Sequence, residues 1–137
     1  MKCMSVVLLA SAVAGFLSFG LAVFPSFAMN ASEKAQLEKL DPATRLEQRC
    51  DVEAMERISR EQKEYSVDKV LAYAFSDPLT RKNAIKAEGA AFRSREHWYR
   101  LSFVCKTDEE HINILSFRYH IGDEVPQDQW DRHYLVP

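Results

Sequence analysis

Residues 97–106 read HWYRLSFVCK. Alternate positions fall into two sets: Tyr99, Leu101, Phe103 and Cys105 on one side, Trp98, Arg100, Ser102 and Val104 on the other. A side-chain period of two with one apolar set is the signature of a strand with one buried face. The stretch from His111 to Ile121 repeats it, with Leu115, Phe117, Tyr119 and Ile121 on one face and Ser116, Arg118 and His120 on the other. Thr107 to Glu110 reads as the turn between them, and Ser94 to Glu96 as the turn before. Upstream, Asn83 to Ala87 opens another strand that runs to Arg93, with Gly89 marking a bend or bulge. Val67 to Phe75 suits either helix or strand; its aromatic and β-branched content favours strand, with Leu71, Tyr73 and Phe75 on one face and Val70, Ala72 and Ala74 on the other. Ser76-Asp77-Pro78 ends it. After Gly122-Asp123 and Val125-Pro126, Gln127 to Tyr134 reads as a short helical turn or irregular cap carrying Trp130.

Before these strands the period changes. Asp41-Pro42 pairs an N-capping side chain with a proline in the first helical position. Ala43, Leu46, Cys50, Ala54 and Ile58 then recur at steps of three and four, one apolar stripe of a helix from Pro42 to about Ser59. Arg45, Glu47, Arg49, Glu53 and Glu56 fall to its flanks and outside. Two independent periodicities thus aim Cys50 and Cys105 at the same interface. The expected fold is α+β: one N-terminal helix packed on an antiparallel sheet of about four strands, stapled by one disulfide. With 54 residues between the two cysteines, the bond is worth roughly 4 kcal/mol in the chain-entropy account.

The first 28 residues read differently. Lys2 gives a short positive start, Val6 to Phe24 carries no charge, and Ser26-Phe27-Ala28 places small residues three and one positions before a cut after Ala28. That is a secretory signal peptide (residues 1–28), with a retained inner-membrane anchor as the alternative. Residues 29–39 form a polar leader and 40–137 a single domain. Cleavage removes Cys3 and leaves an even cysteine count in an oxidising, periplasmic destination. The whole chain has a formal charge of −2, and loss of Lys2 takes it to −3. That balance excludes a protein built to coat nucleic acid.

The strings LDPATRLEQRCD, GAAFRSREHWYRLSFVC, SFRYHIG and VPQDQW resemble those of a bacterial family called domain of unknown function 930, over about Leu40 to Leu135. The resemblance implies an exported protein of a Gram-negative alphaproteobacterium, and it carries over no functional residue.

No motif in the chain carries chemistry by itself. His97 and His111 could meet across a hairpin, but four scattered histidines and no CxxC do not reach a metal-ligand pattern, so neither a metal nor a cofactor is expected. Ser102 or Ser116 with His120 lacks the glycine-rich elbow and oriented carboxylate of a nucleophile pair. Asp123, Glu124, Asp128 and Asp131 lack calcium-loop spacing. Glu47 and Glu53 share one helix, which leaves no cleft between them for glycosidase chemistry. The polar face of the two clear strands is the most unusual feature. It presents Trp98, Arg100, Ser102, Ser116, Arg118 and His120, with Arg93 and Arg95 just before it. Arginine beside an aromatic can grip phosphate, carboxylate or sugar. The expected role is a periplasmic binding or interaction module for an anionic envelope component or an exported protein, rather than an enzyme. A small hydrolase-like enzyme with its site on that face, or an enzyme inhibitor, is the alternative. No nucleic-acid partner is expected, and membrane contact only through an uncleaved leader.

Overall fold

The computed structural model describes residues 29–137. The signal-peptide reading therefore lies outside the described residues. Helix α1 spans Ala31–Leu37 and α2 spans Pro42–Glu61. Five strands follow: β1 Val67–Leu71, β2 Leu79–Arg81, β3 Ala84–Ser94, β4 His97–Thr107 and β5 Ile114–Glu124. Two 3-10 turns, Gln127–Gln129 and Asp131–His133, come last. The strands form one antiparallel sheet in the order β1-β3-β4-β5, with β2 also paired to β3. The fold is thus a helix on an antiparallel sheet, with five strands instead of about four and a short helix ahead of the packed one.

That short helix lies within the stretch read as a polar leader. Asn30 accepts from Glu33 N–H, and the Glu33 carboxylate accepts from Asn30 N–H, a reciprocal capping box that starts a helix with no buried residue. Helix α2 starts as its sequence dictates, with the Asp41 carboxylate accepting from Ala43 and Thr44 N–H. Leu46, Cys50, Ala54 and Ile58 bury against Val70, Ile85, Ala87, Ala90, Phe92, Leu101, Phe103 and Phe117. Cys50 and Cys105 are disulfide-bonded, with Cα atoms 5.9 Å apart. Ala43, the first member of the expected stripe, is exposed.

The flanks of α2 are not all outside. Arg49 and Glu53 are buried, and Arg49 donates from Nε to Ile112 O at 2.9 Å while pairing with Glu53 at 3.2 Å. Arg45 donates to four carbonyls, Leu37, Glu38, Leu40 and Glu110. Arg49 thereby satisfies a buried carbonyl that would otherwise lose its hydrogen bond, and Arg45 ties the end of α1 and the β4–β5 loop to α2.

Two strand limits differ from the expected ones, the end of β1 and the start of β5. The strand expected over 67–75 ends at Leu71; the chain then crosses the sheet edge, leaving Ala72 and Ala74 buried and Tyr73 exposed. In β3 one extra residue lies between Ala87 and Ala90, which pair with Phe103 and Leu101. This is the bulge that Gly89 marked, and it switches the inward set from Ile85 and Ala87 to Ala90 and Phe92. β5 begins at Ile114, not at His111, because His111 adopts a left-handed φ of 60° and its Nδ1 bonds Thr107 Oγ1 in a buried loop. Leu115 bulges out and is 59% exposed, so it leaves the apolar face assigned to it.

Candidate functional site

Helix α2 covers the inner face of the sheet. The outer face is built row by row from the strand register. Lys86 of β3, Val104 of β4 and Arg118 of β5 lie side by side; Ser102 pairs with His120, and Lys106 with Ser116. Adjacent strands are about 5 Å apart. Lys86 and Arg118 therefore flank Val104, with Lys106 diagonally beside Arg118. A shallow trough of about 230 Å³ runs here, lined by Lys86, Glu88, Ser102, Val104, Arg118 and His120. Lys86 pairs with Glu88 at 2.7 Å. Among the described residues, Lys106, Arg118 and His120 make no ion pair or side-chain hydrogen bond. Three basic side chains thus share an exposed surface on which Glu88, already held by Lys86, is the carboxylate lining the trough.

The other end of the outer face is covered. Residues 125–135 fold back over it, and Trp98 is completely buried among Ala74, Ala91, Val125, Trp130 and Leu135. The Trp98 indole N–H donates to Val136 O at 2.9 Å, and that of Trp130 to Val125 O at 2.9 Å. Covering an aromatic of this size contributes on the order of 3 kcal/mol. Trp98 is on the face that alternation assigned to it, but it is core and not an exposed recognition ring. Its burial corrects the reading of an aromatic–arginine surface: alternation fixes which way a side chain points, and only the returning C-terminal segment fixes whether water reaches it.

The other expected residues divide by what they already hold. Arg93 forms a forked pair with Asp68 (2.9 and 3.1 Å) and donates to the carbonyls of Val136 and Pro137. It ties the C-terminal segment to β1. The Arg100 guanidinium lies 3.9 Å from the centre of the Phe75 ring, which fastens the 72–76 crossing to the sheet. Arg95 is exposed at the β3–β4 hairpin tip, away from the trough. Arg118 and His120 remain on the open half. Sequence reasoning passed over Lys106, which continues the alternation of β4 by one step, and Lys86, whose placement needs the β3–β4 register.

Ser102 faces His120 across the β4–β5 pair, yet no hydrogen bond joins them. His97 bonds Glu124 at 2.7 Å at one end of β4, while His111 is buried beyond its other end, so the two do not meet. No group of three or more His, Cys, Asp or Glu fit to hold a metal ion occurs among the described residues. No helix among them is long and apolar enough to cross a membrane.

A family model described as Domain of Unknown Function (DUF930) matches residues 37–135. No curated protein and no solved structure matches the chain.

Proposed function

The chain belongs to the DUF930 family, and from that premise we propose that it is an exported binding module whose open outer sheet face receives an anionic partner in the periplasm. One observation carries the reading. Lys106, Arg118 and His120 stand on one exposed face without a carboxylate partner among the described residues, on a chain whose formal net charge is negative. Local positive charge on an acidic protein focuses anions at that patch. Of the expected site arginines, Arg93 and Arg100 are held by protein groups and belong to the scaffold. Oxidation of Cys50 with Cys105 supports an oxidising compartment, where a small core gains from a covalent tie.

The test is retention of the 29–137 chain on immobilised polyglutamate and on immobilised polygalacturonate at increasing salt. Retention on at least one matrix, weakening as salt rises, is expected. Lys106→Glu with Arg118→Glu should lower affinity on the order of tenfold or more with the melting temperature nearly unchanged. Retention that ignores this charge reversal, or none on either matrix, overturns the reading.

A further inference from the structure

Beside the trough runs the free edge of the sheet. β5 ends the strand order, and no element of the described chain pairs with its outer side. Two bulges bracket its regular part. Ser116 pairs with Lys106 while Ile114 pairs with Thr107, so Leu115 is extra; Ile121 pairs with Leu101 while Glu124 pairs with Tyr99, so a second residue is extra there. Between them Ser116 to Ile121 pairs with β4 without interruption. Every second residue of that stretch turns its N–H and C=O away from β4, which leaves a row of unpaired backbone donors and acceptors.

The two sides of this edge differ in charge. On the outer face it shows Ser116, Arg118 and His120. On the inner side, half-buried Tyr119 and Ile121 line a cleft with Glu61, Gln62 and Glu64 that reaches round the edge to His120, and the Tyr119 hydroxyl donates to Glu61 at 2.9 Å. An incoming strand would place alternate residues beside these two surfaces, with same-face side chains about 7 Å apart. Acidic residues are favoured on the outer side and repelled by Glu61 and Glu64 on the inner.

We propose that the β5 edge from Ser116 to Ile121 takes up an extended peptide segment of a partner protein as a further strand, with acidic side chains at every second position beside Arg118 and His120. This rests on the anionic-partner reading above and names the partner class. Charge complementarity selects the acid, and the open backbone row selects a peptide over a polysaccharide. The aromatic ring that could have stacked on a sugar, Trp98, is buried.

The test uses nine-residue capped peptides with Glu at alternate positions and Thr between. Controls keep that composition with the Glu residues clustered, or keep the alternation with N-methyl groups on every second backbone nitrogen, made in both phases. Binding is followed by fluorescence anisotropy and by amide hydrogen exchange. The alternating peptide should bind on the order of tenfold tighter than the clustered one. It should slow exchange in residues 116–121, lose affinity in one N-methyl phase, and lose it again against Arg118→Glu. Equal binding of the clustered peptide, or of both N-methyl phases, overturns strand addition. If the polyanion matrices still retain the protein through Lys106 and Arg118, only this inference falls. If they do not, the anionic-partner reading falls with it.

Discussion

Asp51 is buried on α2, and its Oδ1 has no hydrogen-bond partner among the described residues. Burial, with a smaller contribution from the Glu47 charge, pushes its pKa up to about 8 from an ordinary 3.8. The folded chain therefore holds this proton through a pH range in which the unfolded chain has released it. The stabilisation is complete below about pH 4 and is lost as pH rises toward 8, at about 1.4 kcal/mol per unit at most. Asp51→Asn removes the ionisation. The variant should gain on the parent as pH rises, by a few kcal/mol at pH 8, in urea unfolding at pH 4.5, 6 and 8; a difference that is constant with pH would contradict this. Helical spacing could not announce the burial of Asp51. The residue stands on the flank of the apolar stripe, and what covers a flank depends on the elements packed beside it. Arg49 and Glu53 escaped the sequence reading for the same reason.

Two short connections decide how the strands meet. Arg95 and Glu96 join β3 to β4 with φ of 50° and 68°, both left-handed, which is the backbone of a two-residue hairpin whose favoured residues are Asn-Gly. Glu96→Gly removes the side-chain penalty at an exposed position and should raise stability by about 1 kcal/mol, read as a higher urea midpoint at an unchanged slope. Gly89 answers to a different constraint, since its φ is not left-handed. The 72–76 crossing passes directly over it: Phe75 N–H donates to Gly89 O at 2.7 Å, and a Cβ at 89 would overlap Ser76 N and Oγ. Gly89→Ala should cost about 1–3 kcal/mol, checked by the same unfolding curve. A neutral result would mean that the crossing can lift away. Gly89 as a bulge and Ser94–Glu96 as a turn were both legible in the sequence. That β1 stops at Leu71 was not, because Ala72 and Ala74 alternate as a strand would and leave the sheet to let Phe75 reach Arg100.

At the scale of the whole molecule, one sheet separates two apolar clusters. The larger lies under α2 and contains Cys50 and Cys105; the smaller gathers Trp98, Trp130, Val125 and Leu135 beneath the C-terminal segment. Replacing both half-cystines, Cys50→Ala with Cys105→Ala, should lower stability by about 4 kcal/mol if the loop-entropy account holds. Thiol labelling of the unreduced, unfolded parent should modify neither position. Labelling at 50 and 105, or a loss well under 1 kcal/mol, would contradict the account. The helix on an antiparallel sheet, the inward aim of both cysteines and the outward direction of Arg118 and His120 were all legible in the residue pattern. These follow from short-range periodicities, set by where each Cβ points along a helix or strand. The covering of Trp98, the scaffold roles of Arg93 and Arg100, and the meeting of Lys86 and Lys106 with Arg118 came from the packing of the folded chain. Those outcomes depend on strand register and on a segment some thirty residues further along folding back, and the pattern of a single strand contains neither.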